Sequence, residues 1–370
     1  MYGRLAGALL IPLALLLDAT RAHAALAQAW PPFVLVAGLL LIGFVAGRDD
    51  LFDAAASRLE RLPGPPVVLL LACFALIAVV TALLNLDTSA VFLTPVLVNV
   101  ARRRGVDPVP FLYGSVFMAN ASSLFLPGSN LTNLLVLSGE RVSGATFFAR
   151  MLGPALAAPV ITAAGLLIIH RHRLVGGGRL ASEPATAPPA RVRLGLGLWG
   201  TLLAGCLMVA LRDAALPVLV LGLALIGARA LGGELGLRES FSWLGLPTLV
   251  GLFGLSVALG TLARASAFPA DVLDSAGRVA TAAIAALASV AVNNLPAAVL
   301  LSSRSHPHTG ALLLGLDVGP NLAVTGSLAV LLWWRAARAV GATPAAIAYS
   351  RQGLILAPLA LAGSLALGVR

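Results

Sequence analysis

The sequence predicts an all-α polytopic membrane protein with two inverted repeats, each containing a re-entrant helical hairpin and a broken transmembrane helix. Its composition is 59% hydrophobic and only 11% charged, whereas a soluble protein carries about 25% charged residues. Apolar runs of roughly 20 residues recur along the chain, and each is long enough to cross a hydrocarbon core as a helix. These runs do not alternate apolar and polar residues as the strands of a β-barrel do.

Twelve apolar segments follow one another along the chain. The first 29 residues form either a short transmembrane helix or a signal-like segment, because Arg4, an apolar run and A22-H-A24 resemble a secretory signal. We favour the helix. We predict a first repeat over 30–170, a basic cytoplasmic loop over 171–194, connecting transmembrane helices over 195–246 and a second repeat over 247–370. The apolar segments lie near 5–21, 30–47, 65–84, 89–101, 111–138, 154–170, 195–212, 215–231, 247–263, 276–303, 310–334 and 352–368.

The net charge of +10 comes from arginines that cluster between the apolar segments. Basic residues are enriched in cytoplasmic loops, so these clusters indicate topology and contact with anionic lipid rather than with nucleic acid. The basic stretches 48–61 and 101–104 flank the segment between them, so both of its ends are predicted to be cytoplasmic. That segment is therefore a re-entrant hairpin, and its tip lies at 85–89. A tip cannot face lipid, which leaves its backbone groups unsatisfied, so protein or a watery cavity must surround it.

An internal similarity predicts the second repeat. The stretch LLNLDTSAV at 83–91 aligns with AVNNLPAAV at 291–299, and PGSN at 127–130 resembles GPN at 319–321. Counting the spans between the two copies inverts the second one, whose hairpin tip lies at 293–296. Inverted repeats with paired broken segments are typical of secondary transporters, which bind substrate near the midplane between the repeats.

Four polar breaks supply the predicted site: the two hairpin tips and the broken helices near 120–133 and 315–327. Proline and glycine unwind a helix there, and the exposed half-helix ends and carbonyls can bind a substrate. For any one residue, hydrogen bonding between helices is the alternative role. The predicted substrate-binding residues are Asn85, Thr88, Ser89, Asn120, Ser129, Asn130, Asn133, Asn293, Asn294, Asn321 and Thr325.

Two acidic residues, Asp87 and Asp317, lie firmly inside apolar segments. A carboxylate there costs roughly 2.5–3.5 kcal/mol on insertion scales, so it requires a partner, a cavity or a proton. No arginine lies comparably deep in the sequence, which argues against a structural ion pair. We predict that both residues carry coupling protons, with Asp87 as the first candidate. The Tyr-Asp and Gly-x-Gly-Asp signatures of intramembrane aspartyl proteases are missing around both residues, which argues against an enzyme.

These motifs resemble those of the ArsB arsenite/antimonite efflux permeases of the ion transporter superfamily. The resemblance implies an inverted-repeat fold in the cytoplasmic (inner) membrane and export of trivalent arsenic or antimony hydroxide. Export is implied to be coupled to protons or aided by a partner ATPase. Asn120 stands where some relatives carry an acidic residue, so a third proton site is not implied. The shared stretches are RDDLF at 48–52, NLDTSAVFLTP at 85–95, SNLTN at 129–133, NNLP at 293–296 and GLDVGPNLAVTGSLAVLLW at 315–333.

The chemistry of the predicted residues suits such a substrate. Arsenous acid is an uncharged triol at neutral pH, and Asn, Ser, Thr and backbone carbonyls supply the hydrogen-bond donors and acceptors that it needs. A sodium–proton antiporter or an anion carrier on the same scaffold is the alternative function. Both hairpins lack the Ser-Asn-Thr tip of the sodium–dicarboxylate carriers, which argues against that substrate.

Two residue pairs complete the predictions. Cys73 and Cys206 each stand alone in an apolar segment, so neither a disulfide nor a thiolate metal site is expected, and no cofactor is predicted. Trp333 and Trp334 precede Arg335, which predicts an aromatic anchor at the membrane interface.

Overall fold

The computed structural model describes residues 2–140, 142–175, 195–233, 245–266, 268–304 and 306–368. These ranges are helical and contain no strand, which confirms the predicted all-α class. The helices are α1 (Tyr2–Leu17), α2 (Ala19–Arg48), α3 (Leu51–Glu60), α4 (Pro66–Leu83), α5 (Leu86–Arg103), α6 (Val109–Ala121), α7 (Leu131–Leu137), α8 (Gly144–Ile169), α9 (Arg171–Val175), α10 (Leu196–Ala210), α11 (Ala215–Leu231), α12 (Leu246–Ala265), α13 (Phe268–Asp274), α14 (Arg278–Val292), α15 (Asn294–Leu301), α16 (Thr309–Val318), α17 (Leu328–Ala339) and α18 (Ala346–Ala366).

Several helices present apolar side chains on the outer surface of the protein, as a membrane protein requires. Among the described residues, α2, α4, α8 and α12 are long and apolar enough to cross a membrane. Val79 of α4, Val160 of α8 and Leu262 of α12 are 54%, 64% and 60% exposed. Extended apolar surface of this kind is unfavourable in water but stable against lipid chains. The chain is therefore a multi-pass membrane protein.

The first hairpin consists of α4 and α5, which are separated at Asn85. The Asn85 Oδ1 accepts a 2.7 Å hydrogen bond from the Thr88 backbone N–H, the usual way in which asparagine begins a helix. At the other end, the Arg103 guanidinium donates to Glu60 at 3.0 Å. The chain thus leaves this hairpin beside the point where it entered.

The second hairpin consists of α14 and α15, with Asn293 between them. Asn293 has a φ of 76° and a ψ of 149°, a positive-φ conformation that is rare for residues other than glycine. Its Oδ1 accepts from the Leu295 N–H at 3.3 Å, and its Nδ2 donates to the Thr325 carbonyl at 3.1 Å. His306 Nδ1 lies 3.2 Å from Asp274 Oδ1, which brings the two ends of this hairpin together.

Each broken helix packs against the hairpin of the other half of the chain. The first comprises α6, a break over 122–130 and α7; the second comprises α16, a break over 319–327 and α17. Helix α5 packs on α17, and α15 packs on α7. The Arg102 guanidinium at the end of α5 donates to the carbonyls of Val340 at 2.5 Å and Gly341 at 3.3 Å, just beyond α17. The inverted-repeat relation itself stays a prediction.

Two opposite faces can be identified along α2. The Arg48 end continues into α3, whose Glu60 pairs with Arg103; we call this end the basic face, and its arginines predict that it is cytoplasmic. Gln28 lies roughly 30 Å away along the helix, given a rise of about 1.5 Å per residue. It borders a cavity that also contacts Glu140, so we call this end the Glu140 face.

The helix boundaries differ from the predicted segments near Asp18. Helix α1 ends at Leu17 and α2 begins at Ala19, so the boundary lies at Asp18 rather than between residues 29 and 30. The Asp18 carboxylate accepts from the Arg21 N–H at 3.0 Å, a helix start that the apolar pattern did not reveal. Most of the predicted basic loop, residues 176–194, and part of the connecting region, residues 234–244, lie outside the described residues.

The predicted interfacial anchor is wrong for Trp333. This side chain is fully buried, and its indole N–H donates to the Leu112 carbonyl at 2.9 Å. Its ring lies 5.7 Å from the ring of Tyr349. Trp333 therefore packs inside the protein between α6, α17 and α18.

Candidate functional site

A cavity of about 240 Å³ lies where the amino-terminal ends of α5, α7, α15 and α17 meet. Its opposite wall is formed by apolar residues of the long helices α2 and α12, such as Val36, Leu40 and Leu249. Both hairpins and both broken helices therefore contribute to one space. The polar and charged residues that line it are Asp87, Thr88, Asn130, Thr132, Thr248, Asn294, Ser327 and Arg335.

The four helices that point their amino ends at the cavity each begin with a capping side chain. Asn85, Asn130, Asn293 and Ser327 accept hydrogen bonds from the first turns of α5, α7, α15 and α17 respectively. The first N–H groups of a helix lack partners within it and carry partial positive charge. The cavity is therefore suited to electronegative groups such as hydroxyl or carboxylate oxygens.

Among the described side chains that line the cavity, Asp87 is the only acidic one. It lies in the first turn of α5 and is partly exposed to the cavity. Among the described residues it forms no hydrogen bond or ion pair. A carboxylate inside an apolar protein requires a partner, so Asp87 is available to a substrate or a proton. Arg335, which is exposed, lines the same cavity.

Asp317 stands behind the cavity wall rather than in it. Its side chain is completely buried, and its Oδ1 accepts from Asn130 Nδ2 at 2.8 Å and from the Thr132 hydroxyl at 3.0 Å. Asn130 and Thr132 both line the cavity, whereas Asp317 does not. The two intramembrane carboxylates therefore have different surroundings: Asp87 faces the empty space, and Asp317 orients two side chains that face it.

Asn120 and Asn321 lie where the two broken helices cross. Both are completely buried, and Asn120 Nδ2 donates to Asn321 Oδ1 at 2.8 Å. Asn321 Nδ2 in turn donates to the Phe117 carbonyl at 3.2 Å. Neither residue lines the cavity. Their amides tie the unwound parts of the two helices together.

Several buried polar groups near the first hairpin tip have no hydrogen-bond partner among the residues that the structure describes. These are Asn85 Nδ2, Thr88 Oγ1 and Ser89 Oγ. The side chain of Asn294, only 4% exposed, also forms no hydrogen bond among the described residues, and it lines the cavity with Thr88. Buried polar groups are nearly always paired. Thr88 and Asn294 therefore present unpaired groups to a ligand.

Other predicted residues stabilise the breaks. The Ser129 hydroxyl accepts from the Leu126 N–H at 3.1 Å, inside the first break. Asn133 Nδ2 donates to the Ser123 carbonyl at 2.7 Å. Thr325 is exposed, and its hydroxyl donates to the Val290 carbonyl at 3.0 Å. Of the predicted site residues, Asp87, Thr88, Asn130 and Asn294 line the cavity.

Four cavity-lining residues were not predicted from the sequence: Thr132, Thr248, Ser327 and Arg335. Ser327 precedes an apolar run, which is the signal of a helix-capping serine, and its hydroxyl accepts from the Val330 N–H at 3.3 Å. No comparable signal exists for Arg335, because an arginine after two tryptophans is typical of a membrane interface.

Comparison with known proteins gives matches over most of the chain. The family model described as "Citrate transporter" (CitMHS) matches residues 3–325. The "Arsenical pump membrane protein" of Escherichia coli is 27% identical over 337 residues, which cover 82% of this chain and 78% of that protein. The "Arsenical pump membrane protein" of Yersinia enterocolitica is 25% identical and covers 88% and 83%. These matches confirm the resemblance indicated by the motifs.

A solved structure supports the fold. The YdaH transporter of Alcanivorax borkumensis, whose crystal structure is described as having an unusual topology, superposes with a TM-score of 0.58. The superposition covers 95% of this chain and 87% of that one, at 16% sequence identity. At this identity the likeness concerns the fold alone.

Proposed function

The chain belongs to the citrate transporter family, and from this premise we propose that it exports arsenite and antimonite as neutral hydroxides in exchange for protons across the cytoplasmic membrane. The family and the arsenical pump relatives both support secondary transport by a multi-pass membrane protein. The observation that carries the proposal is a cavity where the unpaired Thr88 and Asn294 side chains lie beside an unpaired Asp87.

The cavity offers what a small uncharged triol needs. Such a hydroxide has three O–H donors, and its oxygens accept hydrogen bonds. The Asn294 amide, the Thr88 hydroxyl and the helix-end N–H groups supply donors, and the Asp87 carboxylate supplies acceptors. No cysteine lines the cavity among the described residues, so oxygen and nitrogen groups would bind the substrate rather than thiolates.

Asp87 can couple substrate binding to proton binding, because its carboxylate can bind either one. An ionised Asp87 accepts strong hydrogen bonds from substrate hydroxyls on both oxygens; protonation removes its charge and turns one of these acceptors into a donor, which weakens substrate binding. Substrate and proton therefore compete for one group, which is the requirement for exchange. Asp317 serves this reaction indirectly, because its hydrogen bonds fix the positions of Asn130 and Thr132.

An anion carrier is the second candidate, and one observation favours it. Arg335 lines the cavity together with four helix amino ends, a combination that attracts a carboxylate or another anion. A family of citrate transporters is in keeping with such a substrate. The two candidates differ in the charge of the transported species.

Transport by purified protein in proteoliposomes tests the proposal. With the interior made acidic, we expect uptake of arsenite and antimonite that collapses when a proton ionophore removes the pH gradient. Liposomes without protein are the control. Uptake of citrate with no arsenite uptake in the same vesicles would favour the anion carrier. Arsenite transport that requires ATP and a second protein would contradict proton exchange as the driving reaction.

A further inference from the structure

Gln28 of α2 joins three helices on the Glu140 face. Its Nε2 lies within hydrogen-bond distance of the Leu135 carbonyl of α7, at 3.1 Å, and of the Ser302 carbonyl just beyond α15, also at 3.1 Å. The Ser302 hydroxyl lies 3.2 Å away. Helices α7 and α15 are two of the four whose opposite ends face the cavity, so Gln28 connects α2 to the far ends of the substrate-binding elements.

Arg264 of α12 holds the Gln28 amide in this position. Its Nη2 donates to Gln28 Oε1 at 2.6 Å, and its Nη1 donates to the Gly260 carbonyl at 3.0 Å. Hydrogen bonds with a charged donor are about twice as strong as neutral ones. With its oxygen bound by Arg264, the Gln28 amide directs its N–H groups at Leu135 and Ser302.

Toward the basic face, α2 contacts the first hairpin, where Gly43 faces Thr88 and Gly47 faces Phe92 of α5. The substrate cavity lies between α12 and the amino-terminal ends of α5 and α17. A neighbouring cavity of about 410 Å³ shares Val91 and Phe92 with it and reaches Glu60 and Arg103. A further cavity of about 280 Å³, lined by Gln28, Arg264 and Glu140 among others, lies on the Glu140 side. Open space thus adjoins α2 and α12 on both faces, and the Gln28 contacts lie on the Glu140 side of the substrate cavity.

We propose that Gln28 and Arg264 form a latch that closes the substrate cavity toward the Glu140 face. Opening toward that face requires Gln28 to leave Leu135 and Ser302, so the latch sets how often the cavity is exposed there. The latch rests on the proposed transport function for its purpose, but its test measures access to the cavity and does not depend on which substrate is carried.

The variant Gln28→Glu isolates the latch. A glutamate has nearly the shape of glutamine and keeps an acceptor for Arg264, but it cannot donate to Leu135 or Ser302. Its carboxylate instead faces their carbonyl oxygens. Gln352→Glu is the matched control, because Gln352 also bridges helices, through a 2.9 Å contact with His170, but on the basic face.

Access is measured with a cysteine at Leu328, which lines the cavity and is partly exposed, in a Cys206→Ala background with the fully buried Cys73 retained. A small charged thiosulfonate reagent is added to sealed vesicles from either side. We expect Gln28→Glu to speed modification from the Glu140 face about tenfold, which corresponds to the loss of roughly 1.4 kcal/mol of hydrogen bonding. Gln352→Glu leaves that rate unchanged.

An unchanged rate from the Glu140 face, with modification from the basic face intact, would overturn the latch. Should Gln28→Glu fail to insert or fold, Arg264→Gln provides the second variant, since it removes the charged donor and leaves Gln28 itself in place. The same acceleration is expected, and its absence in folded Arg264→Gln protein counts against the proposal. If transport of arsenite fails while the acceleration is seen, the substrate assignment is wrong and the latch stands.

Discussion

The side-chain amide of Asn130 donates a 2.8 Å hydrogen bond to the carboxylate of Asp317, and only Asn130 of the two lines the cavity. The bond joins the break of the first broken helix to the end of α16 in the second. It separates two acidic residues that look equivalent in the sequence. Asp317 holds two side chains of the cavity wall in place, whereas the Asp87 side chain itself lines the cavity.

Replacing Asp87 with asparagine should uncouple transport from protons. The amide cannot take up or release a proton near neutral pH, and it still hydrogen-bonds a hydroxyl. We expect Asp87→Asn to bind arsenite but to lose uptake driven by a pH gradient, measured in proteoliposomes. Asp213→Asn is the control, since Asp213 is exposed and does not line the substrate cavity. Full gradient-driven uptake by Asp87→Asn would show that the coupling proton binds elsewhere.

Replacing Asp317 should act through stability and cavity shape. Asp317→Ala leaves the donors of Asn130 and Thr132 unpaired in a buried place, which costs about 1–3 kcal/mol for each group. Asp317→Asn keeps an oxygen acceptor and should be milder. We expect the thermal unfolding midpoint, followed by tryptophan fluorescence in detergent, to fall more for alanine than for asparagine. Equal midpoints for the two variants would contradict a positioning role.

Gly353 should be intolerant of a side chain because α18 packs directly on the second break. A Cβ at Gly353 would lie 1.8 Å from the Asn321 carbonyl oxygen, so the helix or the break must shift. We expect Gly353→Ala to lower the unfolding midpoint, at a cost of about 1–3 kcal/mol, and to reduce transport. The control is Gly227→Ala, where a Cβ would meet no atom within 4 Å beyond its own helix among the described residues, so the change should be neutral or slightly stabilising.

His170 should make the protein less stable in acid. It follows the end of α8 on the basic face, its ring contacts Gln352, and burial lowers its pKa from the usual 6.5, with Arg173 acting in the same direction. The unfolded chain therefore binds this proton more readily, so stability is fully present above pH 6.5 and is lost as the pH falls below it. Between pH 7.5 and 5.5 we expect a larger drop in unfolding midpoint for the native protein than for His170→Gln. An equal drop in both would exclude His170 as the cause.

The sequence supports the positions of the breaks because local chemistry decides them. The asparagines at 85, 130 and 293 and the serine at 327 begin helices by capping them, and each break occurs where one of these residues interrupts an apolar run. Charge clusters predicted the two ends of the first hairpin to be on one side, and Glu60 and Arg103 do meet there. Division into inverted repeats remains a prediction.

The sequence by itself determined the all-helical membrane class, the helix interruptions and the placement of two carboxylates in apolar surroundings, since these depend on hydrophobicity and local backbone preference. Only the tertiary structure decided which polar residues face the cavity. Asn120 and Asn130 carry the same amide, but one binds Asn321 at a helix crossing and the other lines open space. Their roles differ because of the neighbouring helix that each one meets, and that neighbour is distant in sequence. The same holds for Gln28 and Arg264, which come from different helices and acquire a common role only through packing.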